Sequence, residues 1–269
     1  VPGFHDPECF GPQSMKMNWA KGKEELMVGF EEGPWISKRG DLYYLTYPAG
    51  GVPEHMAYST APTVNGPWTY RGRIMDEAVN SFTIHGGEVT YKGHSYMFYH
   101  NGKLPNGAGF HRSAAVEEFK YNPDGTIPFI PFTENGPAPV GTLNPYERVE
   151  AETMAHSWGL KTDRLPGKDH YVRKIDNGDW IKIREVEFGT EGPKQVTVKT
   201  LNFKNPGTVE FYLNALADSP FATVKVDGTQ DEQTVEVRSR RPVTGKHDVY
   251  ILFRGGDEEL FDFDWWQMK

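Results

Sequence analysis

Short apolar and aromatic runs recur along the chain, and a turn signal closes each of them. Within the runs, β-branched and aromatic residues alternate with polar ones, and this period of two is typical of half-buried β-strands. The runs cover residues 41–51, 65–75, 87–102, 177–189, 194–203, 207–215, 222–228, 233–239 and 247–256. The pattern predicts an all-β protein.

Helical signals are weak by comparison. No long stretch keeps an apolar period of 3.6 residues, and residues 17–29 are the best helical candidate. Lys92 and Gly93 lie between two alternating runs and predict a tight hairpin turn. The 29 glycines and 20 prolines fit a chain with many turns.

Composition excludes several classes of function. The net charge of −8 is dispersed, whereas nucleic-acid binders need a basic face, so we expect no nucleic-acid partner. No apolar run is long enough to predict a membrane span. Cys9 is the only cysteine, which excludes an internal disulfide and cysteine-based zinc sites. The first ten residues lack the features of a signal peptide.

A domain boundary is predicted near residues 140–145. Residues 122–145 contain six prolines, which are incompatible with a regular central strand. A new unit with its own strand pattern begins at YERVEAETM and continues to the C-terminus. We therefore predict domains at 1–143 and 144–269.

The string FEEGPW contains a candidate general acid. Glu31 and Glu32 precede Gly33, Pro34 and Trp35, ahead of a predicted pair of strands. A carboxylic acid beside an indole can have its pKa raised by desolvation, as a group that protonates a glycosidic oxygen requires. A solvated loop glutamate is the alternative that the residues leave open.

Three strings together resemble glycoside hydrolase family 43, the five-bladed β-propeller arabinofuranosidases and xylosidases. They are EGPWISKRGDLYYLTY, SFTIHGGEVTYKGHSYMFYHNG and FHRSAAVEEFKYNPDGTI, and the resemblance covers about residues 28–132. It implies an inverting glycosidase that hydrolyses O-glycosyl bonds with three carboxylates, namely a general base, an Asp that tunes a pKa and a general acid.

The resemblance also implies roles for individual residues. Glu32 occupies the position of the family's acid, and His85 that of a central-channel histidine, often near a bound cation. Arg112 occupies the position of an arginine that reaches the sugar, and its donors suit hydroxyl groups. Trp35 offers an apolar face to a sugar ring. Taken alone, His85 favours a hydrogen-bonded core histidine and Arg112 a surface ion pair, and the matching strings reverse that preference.

The first domain departs from the family in its length. It is too short for five blades, so we expect an incomplete propeller that lacks the N-terminal portion with the water-activating Asp. Asp6 resembles the Asp-Pro string of the pKa-tuning Asp, although a plain turn Asp before proline is the alternative. With one of the two essential carboxyl groups, a chain binds sugar but hydrolyses it poorly.

The second half, from about residue 146, resembles carbohydrate-binding module family 6, a β-sandwich jelly roll. The carrying strings are YERVEAETMAHSWGLKT, IDNGDWIKIREVEFG, GKHDVYILFRGG and LFDFDWWQMK. The family has a structural calcium, and Glu150, Glu152 and Asp264 fall on its ligand positions. Carboxylates suit Ca²⁺, and alternation puts Glu150 and Glu152 on one strand face. Two exposed glutamates on a strand are the alternative.

The sugar cleft of this module is altered. The resemblance places a Tyr where this chain has Lys174, a Trp within residues 227–233, which contain no aromatic, and an Asn where Asp262 stands. We expect Trp180 and one of Trp265 and Trp266 to be core residues. A module without this aromatic sandwich is predicted to bind differently or to act structurally.

Two functions follow. The first is a glycosidase acting on arabinose- or xylose-containing plant polysaccharide or oligosaccharide, extracellular or periplasmic by the resemblance. Its structural Ca²⁺ would lie in the C-terminal module, with a possible further cation near His85. The alternative is a non-catalytic carbohydrate-binding or structural protein with a vestigial propeller. The sequence leaves the sugar, the linkage and the oligomeric state open.

Overall fold

Antiparallel β-strands account for nearly all of the regular structure. A computed structural model describes residues 6–11, 29–164, 169–217, 219–237 and 243–269. The all-β prediction is confirmed, since the helix found in these ranges is the single turn α1 (Pro7–Phe10). The helical candidate at 17–29 lies outside the described residues, apart from Gly29. Among the described residues, no helix has the length and apolar character that crossing a membrane requires.

The chain divides into two compact units, Val1–Ala138 and Pro139–Lys269. The first unit contains two antiparallel sheets whose strands follow one another in chain order, β1-β2-β3-β4 and β5-β6-β7. Their bounds are β1 (Trp35–Arg39), β2 (Leu42–Ala49), β3 (His55–Ala61), β4 (Thr69–Met75), β5 (Gly86–Tyr91), β6 (His94–Asn101) and β7 (Ser113–Phe119).

The central strands of the four-stranded sheet are buried on both faces. Because successive side chains of a strand point to opposite faces, β2 and β3 supply two separate clusters. Tyr44 and Tyr58 belong to one cluster, and Leu45, Tyr47 and Ala57 belong to the other. Apolar packing on both sides makes this sheet the centre of the first unit.

The predicted hairpin turn at Lys92 and Gly93 is present between β5 and β6. Tyr91 pairs with His94, and the two turn residues have φ angles of 49° and 83°. Positive φ at both central residues gives the turn whose twist matches that of the flanking strands. This turn fixes the register of β5 against β6.

Glu88, on β5, links the two sheets of the first unit. Its carboxylate accepts hydrogen bonds from the hydroxyl groups of Ser37 on β1 and Thr46 on β2, the latter at 3.2 Å. The indole N–H of Trp35 donates to the backbone oxygen of Glu88 at 3.1 Å. Burial raises the pKa of this carboxyl, and the hydrogen bonds that it accepts partly offset the rise.

The second unit is a sandwich of two antiparallel sheets. Its strands are β8 (Val149–Glu150), β9 (His156–Trp158), β10 (Lys161–Arg164), β11 (His170–Arg173), β12 (Trp180–Glu187), β13 (Gln195–Leu201), β14 (Gly207–Leu213), β15 (Ala222–Val226), β16 (Glu232–Glu236), β17 (Lys246–Gly255) and β18 (Asp262–Met268). One sheet has the order β10-β11-β18-β13-β16, with β8 also paired to β18, and the other β15-β14-β17-β12-β9.

The core of the sandwich tests the expectations for the tryptophans. Trp266 is fully buried in the main apolar cluster, as expected for one of the C-terminal pair. Trp180 is only half-buried, so its assignment to the core is wrong. The phase of β12 sends Ile181 and Ile183 into the core and leaves Trp180 on the other face, where its ring contacts Tyr250.

The proline-rich stretch behaves as its composition predicts. The structure describes residues 120–148 throughout and assigns no strand between β7 and β8. Since proline cannot donate to a strand ladder, the segment cannot extend either sheet in a regular way.

The core of the sandwich gives a stability prediction. Phe211 is fully buried, whereas Phe203 in the same unit is 43% exposed. Phe211→Ala should lower the free energy of unfolding by about 3–5 kcal/mol, because it removes buried apolar contacts and leaves a cavity. Phe203→Ala should cost less than about 1 kcal/mol. Urea unfolding measures both, and equal losses would contradict the packing described here.

Candidate active site

Glu32 and His85 form a hydrogen-bonded pair, and each lies shortly before the first residue of a strand, β1 and β5 respectively. Oε1 of Glu32 lies 3.0 Å from Nε2 of His85, and the two side chains are 55% and 35% exposed. Gly33 has a φ of +53° and packs under the imidazole, where a Cβ atom would lie 2.9 Å from Nδ1 of His85. Sterics therefore require glycine at the middle of the Glu-Gly-Pro string, since only glycine allows both this backbone conformation and this close approach.

Glu54 is the third member of the cluster, and the sequence analysis did not identify it. One ligand atom each from Glu32, Glu54 and His85 lies within 4.8 Å of the other two. Glu54 is 3% exposed and directly precedes β3. Its Oε2 accepts a hydrogen bond of 3.2 Å from the amide of Ile84. This carboxyl is buried because the loops that carry Glu32, Glu54 and His85 converge. In the sequence, Glu54 simply follows a proline and resembles an ordinary loop residue.

Burial raises the pKa of Glu54 to about 7. The negative charge of Glu32 contributes to this rise, whereas the bond from Ile84 and the nearby His85 oppose it. The desolvated carboxyl that the sequence suggested at Glu32 is thus found at Glu54. Glu32 is more than half exposed, because the indole of Trp35 is turned towards β5.

Arg112 is held beside this cluster by Thr83. Nη1 of Arg112 donates to the Thr83 hydroxyl at 2.8 Å, and Thr83 is buried. Nε2 of His100 lies 3.0 Å from the carbonyl oxygen of Thr83 and 3.4 Å from the amide nitrogen of His85. Burial and then the Arg112 charge lower the pKa of His100. The guanidinium thus has a defined anchor close to the Glu32–His85 pair.

Trp35 presents an exposed ring next to the same site. It is 48% exposed at the start of β1. Its ring lies against Gly87, two residues after His85, where a Cβ atom would be 2.5 Å from the ring. The absence of a side chain at Gly87 lets the ring lie flat against β5. The structure therefore brings Glu32, Trp35, His85 and Arg112 to one end of the two sheets.

Asp6 makes only local contacts among those described. Its Oδ1 accepts a 2.9 Å hydrogen bond from the amide of Glu8, and its backbone oxygen accepts from the amides of Cys9 and Phe10. These bonds cap the short helix α1. The geometry suits an Asp before proline in a turn, and a catalytic role for Asp6 stays a prediction.

The three acidic residues predicted to bind calcium come from neighbouring segments of the second unit, but their carboxylate oxygens do not all lie within 4.8 Å of one another. Glu150 pairs in register with Trp265, and the amide of Ala151 donates to the backbone oxygen of Asp264 at 2.9 Å. The strand β8 ends at Glu150, so Glu152 lies in the following turn and not on the strand. The expectation of one shared strand face is therefore wrong, because the chain turns too early.

Glu150, Glu152 and Asp264 differ in whether a positively charged or hydrogen-bonding partner compensates their carboxylate charge. Glu150 forms an ion pair with Arg148, with 2.7 Å between Oε1 and Nε. Oε2 of Glu152 is buried and has no hydrogen-bond partner among the described residues. Burial raises the pKa values of Glu152 and Asp264, and each is raised further by the charge of Glu150. An uncompensated buried carboxylate is a group that a hard cation would stabilise.

Comparison with known proteins divides the chain in the same way. Residues 11–127 match the family described as glycosyl hydrolases family 43, and residues 150–269 match the carbohydrate binding module of family 6.

An arabinoxylan arabinofuranohydrolase of Bacillus subtilis (strain 168) is 30% identical over 261 residues, which are 88% of this chain and 51% of that protein. A protein of the same description from Paenibacillus polymyxa is 31% identical over 239 residues, with 82% and 36% covered. The chain thus spans about half or less of the length of these relatives.

A solved structure resembles most of this chain. It is a family 43 arabinoxylan arabinofuranohydrolase from Bacillus subtilis in complex with cellotetraose. The TM-score is 0.73 at 27% identity, and the match covers 89% of this chain and 54% of the solved one.

The buried carboxyl of Glu54 gives a pH prediction. Its folded pKa of about 7 lies above the ordinary value of 4.5, so the folded state binds the proton more tightly than the unfolded chain. Stability conferred by this group is then fully present below pH 4.5 and is lost as the pH rises to about 7. Glu54→Gln keeps an acceptor for the Ile84 amide but removes this loss.

Between pH 5 and pH 8, the free energy of unfolding of Glu54→Gln should therefore rise by about 2–3 kcal/mol relative to the wild type. Urea unfolding at several pH values measures the difference. Asp41→Asn, in the exposed turn between β1 and β2, serves as the control. Parallel pH curves for Glu54→Gln and the wild type would contradict the buried position of Glu54.

Proposed function

Because residues 11–127 belong to glycosyl hydrolases family 43 and residues 150–269 to the family 6 carbohydrate binding modules, we propose that this protein hydrolyses O-glycosyl bonds in plant polysaccharide containing arabinose or xylose. The Glu32–His85 hydrogen bond beside the anchored Arg112 carries the proposal. Both relatives are named as arabinoxylan arabinofuranohydrolases, which favours arabinoxylan as the substrate.

In the proposed reaction, Glu32 protonates the leaving glycosidic oxygen. Its exposed carboxyl can reach a bound sugar, and His85 fixes its direction. Arg112 donates to sugar hydroxyls, and the face of Trp35 packs against a sugar ring. Glu54 is too close to Glu32 for the water-activating role, since inversion requires carboxyl groups about 6.5–9.5 Å apart. Asp6 is the residue that the sequence offers for the pKa-tuning Asp, and the water-activating carboxylate is not assigned.

The architecture of the first unit supports a further part of this proposal. Each of its sheets is an antiparallel meander in chain order, the arrangement that propeller blades have. We infer that these sheets are blades of a β-propeller. An extracellular or periplasmic location follows from the nature of the substrate, because a plant polysaccharide cannot enter the cell intact.

A non-catalytic protein is the second candidate. The observation that favours it is that the carboxyl group found beside Glu32 is that of Glu54, which lies within 4.8 Å and is too close to activate water for inversion. In that case Arg112 and Trp35 would bind sugar without cleaving it. The catalytic and non-catalytic functions are separated by the following measurement.

Glu32→Gln should reduce hydrolysis of arabinoxylan at least 100-fold, because the departing sugar oxygen needs a proton. Hydrolysis of 4-nitrophenyl arabinofuranoside should fall much less, because nitrophenolate leaves without protonation. Glu31→Gln, one residue away, is the matched control and should retain activity. Equal losses on both substrates would contradict the acid role, and a wild-type chain inactive on both would favour the non-catalytic protein.

We also propose a structural Ca²⁺ in the second unit, held by Glu150, Glu152 and Asp264. The unpartnered Oε2 of Glu152 supports the fit, and Arg148 would compete with the ion for Glu150. Bound Ca²⁺ would supply charge compensation to these buried carboxylates. A second possible site is the cluster of Glu32, Glu54 and His85, whose ligand atoms lie within 4.8 Å of one another.

Calcium at a hundredfold excess over its dissociation constant should stabilise the folded state by about 2.7 kcal/mol, and EDTA should reverse the effect. Calorimetry with Glu152→Gln and Glu54→Gln separates the two sites. Loss of the melting-temperature shift in Glu152→Gln alone locates the ion in the second unit. Loss in Glu54→Gln alone locates it near His85, and no shift in the wild type contradicts both sites.

A further inference from the structure

An exposed aromatic pair borders the candidate active site. Phe82 and Phe110 are 51% and 66% exposed, and their ring centroids lie 5.5 Å apart with planes at 81°. In an edge-to-face pair, the edge of one ring meets the face of the other, so ring faces remain open. Large apolar rings are normally buried, and a contiguous pair held open to solvent indicates a surface for contact.

The backbone holds the two rings in place. The amide of Phe82 donates to the carbonyl oxygen of Gly109 at 3.2 Å. Ala108 and His111 exchange two backbone hydrogen bonds of 3.2 and 2.7 Å, which close a short loop with Phe110 near its tip. Gly109 has a φ of +54°, and a Cβ atom there would lie 3.1 Å from the Phe82 ring. The pair is thus built into the fold and does not rest on a single side-chain rotamer.

The pair is continuous with the polar groups of the site. The carbonyl oxygen of Phe82 accepts a 3.0 Å hydrogen bond from the amide of Glu54. The next residue, Thr83, holds the guanidinium of Arg112, which follows Phe110 by two positions. Apolar ring faces therefore lie near the exposed guanidinium group of Arg112. This combination suits a sugar ring, which has apolar C–H faces and polar edges, better than it suits an apolar protein surface.

We propose that Phe82 and Phe110 form a stacking subsite for a backbone pyranose of the polysaccharide, adjoining the sugar that Arg112 contacts. The proposal rests on the proposed function and extends it, because it assigns the main chain of the substrate to a defined surface. A ring stacked there would direct the chain past Arg112 and leave its attached sugar facing Glu32. The pair acts on binding and takes no part in the chemical step.

The test uses the full chain, labelled with ¹³C in phenylalanine and with ¹⁵N throughout, and NMR follows its binding of xylotetraose. The indole signal of Trp35 and the guanidinium signal of Arg112 report on the first unit separately from any binding by the second. The variants are Phe110→Ala, Phe82→Ala and Phe110→Tyr, which keeps an aromatic ring. Phe98→Ala is the matched control, because Phe98 is 50% exposed on β6 of the same unit.

We expect the ring signals of Phe82 and Phe110 to shift together with those of Trp35 and Arg112. Phe110→Ala should weaken this binding at least fivefold, whereas Phe110→Tyr and Phe98→Ala should remain within twofold of the wild type. Backbone spectra of each variant confirm that it is folded.

Three results would overturn the proposal. If Trp35 and Arg112 respond but the phenylalanine rings do not, or if Phe110→Ala binds normally, the stacking subsite is refuted and the proposed function stands. If none of these signals responds, both fail. If Phe110→Ala changes the oligomeric state in sedimentation, the pair is an interface with a second copy and not a sugar subsite.

Discussion

The candidate site depends on the way Glu88 joins the two sheets of the first unit. Its carboxylate accepts hydrogen bonds from Ser37 and Thr46, and its backbone oxygen accepts from Trp35. These bonds bring the start of β1 next to the start of β5. Glu32 precedes β1 and His85 precedes β5, so this contact is what allows the two residues to meet.

A second carboxyl, that of Glu54, forms the buried part of the site. Glu54 is buried against the amide of Ile84 and lies near both Glu32 and His85. Burial and the nearby charge of Glu32 raise the pKa of the Glu54 carboxyl. The site thus contains a buried carboxyl, that of Glu54, next to an exposed one, that of Glu32. Of the two carboxyl groups, the exposed one of Glu32 is the one that can reach a substrate.

The second unit has the β-sandwich fold, but its polar residues differ from those that the family resemblance implied. Trp266 fills the core, whereas Asp262 is buried and accepts a hydrogen bond from Asn202 at 2.8 Å. Lys174 adopts a positive φ of 53° at the position where the family resemblance implied an aromatic ring. The fold of the module therefore persists without the aromatic sandwich, because the apolar core and not the cleft holds the two sheets together.

The sequence by itself determined the strands and the hairpin turn at Lys92 and Gly93, and it predicted a domain boundary and the candidate site residues Glu32, His85 and Arg112. Each of these is a local pattern or a string, and alternation of side chains is a property of a single strand. Only the tertiary structure decided that Glu54 is buried beside Glu32, that Trp180 lies outside the core and that Glu152 falls in a turn. Those outcomes depend on strand phase and on loops that converge from distant positions, and no local pattern encodes them.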